Sequence, residues 1–264
     1  MSGERLRVAT WNVNSLRVRV PHLSAWLEST PIDVLALQET KLTDAEFPAG
    51  ELAALGLTGV WHGQKTYNGV ALLARQPVSE VLKGMPGFAD EQARVVAATV
   101  AGIRIVDVYV PNGQSVGSEK YAYKLRWLAA LRDFLKGEIA RHPELLLLGD
   151  CNIAPEDRDV HDPKAWEGQV LVSPAERAAL GEVCALGLED LFRRFEQAER
   201  SFSWWDYRAA AYRRNAGLRI DLILATPALA ARCTACDIDR APRGWERPSD
   251  HTPVIATFDL SARQ

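Results

Sequence analysis

Cysteine is scarce: four residues, at 151, 184, 233 and 236, in a chain of 264. Their sequence context shows no disulfide framework, and a chain of this length buries enough surface to fold without one. Cys233 and Cys236 have the C-x-x-C spacing, but no second pair and no histidine stand near them. Two half-buried thiols are expected there rather than a zinc site. Long hydrophobic runs are absent as well. Nothing approaches the ~20 apolar residues that cross a bilayer, and the opening MSGERLRVATWN has no apolar signal core. A reducing, cytoplasmic setting without membrane contact is the expectation. A charge excess of one sign is also missing. Net charge is −3 and mean hydropathy −0.13, so any phosphate-binding face has to be built from local Lys and Arg. There is no internal repeat, low-complexity tract or linker, and a single domain over 1–264 is expected.

What is present is a mixed pattern of strands and amphipathic helices. Residues 5–11, 33–37, 69–75, 93–100, 103–110, 145–148, 219–225 and 253–258 read as strands, with Ala101-Gly102 turning a hairpin. Pro21 sits early in a helical pattern that aligns Leu23, Trp26 and Leu27. Ser118 is placed to cap a long helix reaching about 141, with Leu125, Leu128, Leu131 and Leu135 on its apolar side. Ser173-Pro174 opens another helix, to about 186. Successive strands between 69 and 110 argue for an α/β fold with mixed or antiparallel sheets rather than strict βαβ alternation.

Polar residues of one kind recur at the ends of the apolar strands: Asn12, Glu39, and Asp150 with Asn152. Asp250-His251 precedes the last strand, and Asp221 lies in another. Strand ends are rigid mounts that can converge at one edge of a sheet. Carboxylates and amides suit a hard cation such as Mg²⁺, which takes one or two carboxylates and leaves further positions to water and phosphate. A metal and fixed donors stabilise the charge that builds up when a phosphodiester is hydrolysed, and a positioned acid or base adds ~10² to 10⁴ in rate.

Gly149-Asp150-x-Asn152 and Ser249-Asp250-His251 are recognisable motifs. With Trp11-Asn12-x-Asn14, Leu37-Gln38-Glu39-Thr40 and Leu218-Arg219-Ile220-Asp221, they resemble the exonuclease III family of apurinic/apyrimidinic (AP) endonucleases, within the endonuclease/exonuclease/phosphatase superfamily. The resemblance runs from about residue 5 to 258 and includes NGVALLAR (68–75), NIAPEDRDV (152–160) and FSWWDYR (202–208). It implies a four-layer α/β sandwich, two mixed, mostly antiparallel sheets face to face with helices outside. The implied activity is Mg²⁺-dependent (or Mn²⁺-dependent) DNA repair by a monomer: incision 5′ to an abasic site in duplex DNA, with 3′→5′ exonuclease action and cleaning of blocked 3′ ends.

The same resemblance implies roles. Glu39 is the principal metal carboxylate, with Asn12 and Asp250 contacting the metal directly or through water. Asp150 handles protons, and Asn152 orients it or the attacking water. His251, its tautomer fixed by Asp221, bonds the phosphate or acts as base; Tyr109 touches the phosphate. The division of labour between Asp150 and His251 stays open. Trp204, Leu218 and Ile220 match an apolar pocket for a flipped baseless sugar, although some relatives have tryptophan at the position of Leu218. Trp205, Arg208, Arg17, Lys65, Asn112, Lys120 and Lys124 are further DNA-contact candidates, and Arg213, Arg214 and Arg219 in the aromatic-basic stretch 202–220 are placed to meet phosphates as well. Cys151 is expected to point away from the site, because alternation puts Asp150 and Asn152 on one face. Two alternatives remain at this point: a phosphodiesterase of the same fold acting on RNA or another phosphate ester, and an RNA-regulatory member without catalysis.

Overall fold

The computed structural model describes residues 5–261; residues 1–4 of the N-terminal stretch and 262–264 at the end of the expected 1–264 domain lie outside the described residues. The strands are β1 (Arg5–Asn12), β2 (Val34–Gln38), β3 (Thr58–His62), β4 (Val70–Ala74), β5 (Val78–Lys83), β6 (Val95–Val100), β7 (Ile103–Tyr109), β8 (Leu145–Asp150), β9 (Glu189–Asp190), β10 (Asp221–Ala225), β11 (Cys233–Ile238) and β12 (Val254–Asp259). The helices are α1 (Leu16–Ser29), α2 (Ala49–Ala54), α3 (Glu119–Arg141), α4 (Pro163–Trp166), α5 (Pro174–Cys184) and α6 (Pro227–Ala230). Among the described residues no helix is long and apolar enough to cross a membrane.

Two six-stranded sheets form, ordered β11-β12-β1-β2-β4-β3 and β5-β6-β7-β8-β10-β9. Each holds one parallel pair, β1–β2 and β7–β8, joined through α1 and α3, while their other pairs are antiparallel. A parallel pair needs a long crossover, and a helix is its usual form. The sheets face each other over an apolar core that includes Val8, Val34, Leu72, Ile105, Leu148 and Phe258. The outer face of the first sheet packs on α1 and α2 through Trp11, Leu23, Trp26 and Leu52. That of the second packs on α3 and α5 through Trp127, Leu131, Leu147 and Leu180. The four layers are those implied by the sequence motifs.

Local expectations fare unevenly. Ser118 caps α3, its side chain accepting from the Tyr121 amide, and Ser173 with Glu176 forms a capping box on α5. The helix expected near Pro21 starts five residues earlier, at Leu16. Ser15 gives no side-chain cap, so nothing local marks this start. Instead the Ser15 and Leu16 amides donate to the carbonyls of Glu39 and Thr40. Cys233 and Cys236 are buried rather than half-buried, in the core between the sheets.

One polar bridge crosses that core. Gln38 Nε2 donates to Thr10 Oγ1 (2.9 Å) in its own sheet and to Asp107 Oδ1 (2.7 Å) in the other. All three residues are fully buried, and Gln38 Oε1 has no protein donor. Burial pushes the Asp107 carboxyl well above its ordinary value, against the hydrogen bond from Gln38. An acid whose folded pKa is raised contributes stability that is full below the unfolded pKa and is lost as pH rises through the folded one. Asparagine mimics the neutral acid and keeps a carbonyl oxygen to accept from Gln38 Nε2. Asp107→Asn is therefore expected to be near neutral at pH 4 and to raise Tm at pH 8 by roughly 2–4 °C. Thermal melts at both values check this; a variant less stable at pH 8 would show that the carboxylate itself is needed.

Candidate active site

Pleat parity builds the site. Along β1, Leu6, Val8 and Thr10 face the inter-sheet core, so Asn12 does too. The same parity sends Tyr109 of β7, Asp150 of β8 and Asp221 of β10 into the gap between the sheets. Asp150 pairs with Tyr109 on one side and Asp221 on the other, so one edge of the second sheet presents three of these groups in adjacent strands. Cys151 turns to the helix side, into the core beneath α3, as alternation predicts. Gly149 precedes Asp150 for a steric reason: at its φ of +139° a Cβ would lie 2.0 Å from the Val108 carbonyl oxygen.

Alternation alone would turn Glu39 away from this gap. Its left-handed backbone (φ 52°) reverses that, and Asn14, Lys41 and Asn152 are left-handed as well. Such conformations in non-glycine residues cluster at functional sites when the surroundings hold them. Here the amide of Ser15 at the start of α1 holds the Glu39 carbonyl.

The functional groups then interlock. Asn12 Nδ2 donates to Glu39 Oε1 and Asp150 Oδ2, each at 2.9 Å. Lys41 Nζ lies 3.0 Å from Glu39 Oε2 and donates to Asn14 Oδ1. Asn152 donates its backbone amide to Asp150 Oδ1 (2.9 Å) and its side-chain amide to Asp150 Oδ2 (3.2 Å). His251 Nδ1 sits 2.9 Å from Asp221 Oδ2, and its Nε2 is 3.7 Å from Asp150 Oδ2. Ser203 completes the chain, its hydroxyl donating to Asp221 Oδ2 (2.6 Å). Glu39, Asp150 and His251 each offer one ligand atom within 4.8 Å of the others, a donor set able to hold a metal ion. Asp250, expected among the metal ligands, is not in that set. Its two oxygens take hydrogen bonds from Asn14 Nδ2 (2.9 Å) and Trp204 Nε1 (3.0 Å), so it secures the site's rim.

The electrostatics follow from burial beside like charges. Burial raises Asp150 to about 7; the His251 imidazolium opposes this, while Asp221 and Glu39 add to it. Burial pushes the His251 imidazolium down, but Asp221 and Asp150 outweigh it and hold the ring protonated to about 10. Burial, then Glu39 and Asp150, keep the Tyr109 phenol protonated far above its usual range. The cleft therefore presents two donors, Tyr109 and His251, to whatever anion enters, beside a carboxyl that exchanges its proton near neutrality.

The model of the endonuclease/exonuclease/phosphatase family matches residues 9–251. This chain belongs to that family. It is 36% identical over 266 positions to exodeoxyribonuclease III of Haemophilus influenzae, covering 96% of this chain and 100% of that one. The solved structure of the 3′ phosphatase NExo from Neisseria, bound to a product DNA hairpin, matches with a TM-score of 0.95 at 45% identity, over 97% of this chain and 100% of that one. An AP endonuclease from Archaeoglobus fulgidus gives 0.93 at 38% identity, with 97% and 100% covered. The match lies with the exonuclease III members, as the sequence motifs imply.

Around this exonuclease III-type site the expected contact residues divide. Arg17 and Lys65 are exposed beside Lys41 in a small groove, and Asn112 and Lys120 line a cavity of about 800 Å³ next to Tyr109 and Arg94. Trp204 is half-buried, while Arg208 is exposed and held by a bidentate pairing with Asp206. The remaining candidates are corrected by burial. Lys124 is fully enclosed and paired with Glu176. Trp205 is enclosed against Phe202 and Tyr212. Leu218 and Ile220 are covered within an apolar cluster beneath Trp204. Arg219 is buried between Asp159 and Asp190. None of these five presents a surface to a ligand in this structure. Lys41, Ser203 and Arg94 were missed by the motif reading. Arg94 lies 4.7 Å over the Tyr109 ring and donates to the Tyr109 carbonyl. Lys41, two residues past Glu39, is the one a closer look at the strand-end loop would have found.

Replacing Asp221 removes the anion that outweighs burial at His251. In metal-free Asp221→Asn protein the ring should lose its proton at least about one pH unit lower than in the wild type. Nitrogen-15 NMR of the imidazole across pH 6–10 reads this directly. An unchanged titration would mean that Asp221 does not hold the proton.

Proposed function

We propose that this chain is a divalent-metal-dependent DNA-repair nuclease that incises duplex DNA 5′ to abasic sites, acts as a 3′→5′ exonuclease and cleans blocked 3′ ends. The observation that carries this reading is the meeting of Glu39, Asp150 and His251 in one cleft, with exposed cations on its flanks. The family is metal-dependent. The site fits: the Glu39 and Asp150 carboxyls in oxygen-rich surroundings suit a hard divalent cation and favour Mg²⁺, with Mn²⁺ able to replace it. Glu39 would hold the ion, with Asn12 linking it to Asp150, and the bound ion would supply charge stabilisation at the phosphoryl oxygens.

The chain's own residues do the rest. The His251 imidazolium, oriented by Asp221, and the Tyr109 hydroxyl donate to the non-bridging phosphate oxygens. Asp150, poised near neutrality and oriented by the two donors of Asn152, moves the proton between water and the leaving oxygen. Arg17, Lys65, Lys120, Arg208 and Asn112 steer and position the duplex backbone. Trp204, fixed by Asp250, offers a face for a displaced sugar. NExo bound to a product DNA hairpin supports DNA over RNA or other phosphate esters as substrate. The intact set of donors speaks against a regulatory member without catalysis. The reading is of one domain over 1–264, acting as a cytoplasmic monomer.

With Mg²⁺, purified protein should nick an abasic duplex and release nucleotides or phosphate from 3′ ends, and chelation should stop both. Glu39→Ala should cut the rate by ~10³-fold, the scale of losing several kcal/mol of charge stabilisation. Gel assays on abasic, 3′-phosphate and blunt duplexes check this. An intact abasic duplex under wild-type protein, or equal cleavage by Glu39→Ala, ends the reading.

A further inference from the structure

Lys124 lies on the buried face of α3 with no exposed surface. Its ammonium has three donors and finds three acceptors: Glu176 Oε1 at 2.5 Å, the Asn152 carbonyl at 2.7 Å and the Asn112 carbonyl at 3.1 Å. Glu176 is equally satisfied, accepting from the Leu171 amide (3.0 Å) and from the amide and hydroxyl of Ser173 (3.2 and 2.5 Å). The loop after β7 runs close against the lysine stem, since a Cβ on Gly113 would meet Lys124 Cδ at 3.1 Å.

An ion pair in this position is a poor way to gain stability, because two hydrophobic side chains of the same volume usually serve as well. What an ammonium supplies and hydrocarbon does not is a set of directed bonds to two loop carbonyls. Those loops are the ones that matter. Asn152, held at a left-handed φ of 48°, gives its amide N–H to Asp150 Oδ1 while Lys124 fixes its carbonyl. Its side chain is braced by Val110 O and by Asn112 Nδ2. Both peptide groups of Asn152 are thus tied, one to the Asp150 carboxyl and the other to the lysine.

We propose that Lys124, paired with Glu176, is a positioning residue that sets the Asn152 peptide, and through it the Asp150 carboxyl, without touching substrate. This rests on the proposed nuclease activity. The alternative role for a lysine here, a phosphate contact, gives opposite kinetics. A phosphate contact acts on binding and on its salt dependence, with a slope change of about 0.9 per contact. A positioning residue acts on the chemical step, where misplacement by about 1 Å can cost ~10²-fold.

The experiment compares wild type, Lys124→Met, the double variant Lys124→Met with Glu176→Leu, and the exposed Lys120→Met. Each is assayed on an abasic duplex with Mg²⁺ over a range of salt. Lys124→Met should lower kcat by about tenfold or more, with KM within about threefold and an unchanged salt slope. The double variant, free of an unpaired buried charge, should recover Tm but keep the kcat defect, and its Asn152 amide should exchange faster with solvent than in the wild type. Lys120→Met should raise KM and flatten the salt slope. A raised KM and flattened slope in Lys124→Met, an unchanged kcat, or full recovery of kcat in the double variant would overturn the proposal. Inactive wild-type protein would overturn the nuclease reading instead. Exchange at the Asn152 amide then decides the positioning role, and equal protection in wild type and double variant would refute it.

Discussion

Three carboxyl groups, Glu39, Asp150 and Asp221, are drawn into one poorly solvated cleft, and the rest of the site is arranged around their mutual repulsion. Buried like charges cannot all ionise unless something positive or hydrogen-donating separates them. Here the separators are the Asn12 amide between Glu39 and Asp150, the His251 ring between Asp150 and Asp221, and Lys41 on the outer oxygen of Glu39. Where those donors fall short, the charge deficit appears as the raised carboxyl of Asp150. The same deficit makes the cleft attractive to a metal ion and raises a carboxyl into the range where it trades protons near neutral pH.

That crowding is produced by the pairing of two sheets. Asn12 and Glu39 come from the end of the first sheet's parallel pair, and Tyr109 and Asp150 from the end of the second's. Each parallel pair runs toward the same rim, so its strand ends share one edge, and a helix fills the outside. Asp221 and His251 arrive from antiparallel neighbours that begin where those strands end. Neither sheet contains a complete site. The Thr10–Gln38–Asp107 bridge joins the sheets across the core one step below it.

Much of this was legible in the chain. Apolar strand runs ending in Asn12 and Asp150 mark the strands, and Gly149-Asp150-x-Asn152 with Ser249-Asp250-His251 carries the family resemblance. The parts that were not legible have identifiable causes. Glu39 faces the cleft only because its backbone is left-handed, which alternation cannot foresee. In β11 a bulge between Cys233 and Ala235 puts two buried cysteines three residues apart, so a strand reads as a metal-type spacing. In β5 a register shift between Ser79 and Leu82 on an exposed edge erases the period. Lys124 and Arg219 were read as cations for phosphate because charge normally means surface. Their acidic partners Glu176, Asp159 and Asp190 lie 29 to 60 residues away in the chain.

The aromatic-basic stretch 202–220 shows why such a segment cannot be assigned as a block. Trp205 and Arg219 are its frame: the first is sealed against Phe202 and Tyr212, the second is clamped by two aspartates beneath β10. Trp204 and Arg208 reach toward solvent, each oriented by an acidic neighbour, Asp250 and Asp206. Ser203 sits between the two roles. Its hydroxyl accepts from the amides of Ile220 and Asp221 and donates to Asp221, while its carbonyl accepts from the Thr252 amide. Through that one residue the 202–208 segment, the aspartate beside His251 and the segment leading into β12 share a common set of bonds. Trp204, next in the chain to Ser203, is thus tied through that serine to the Asp221–His251 pair.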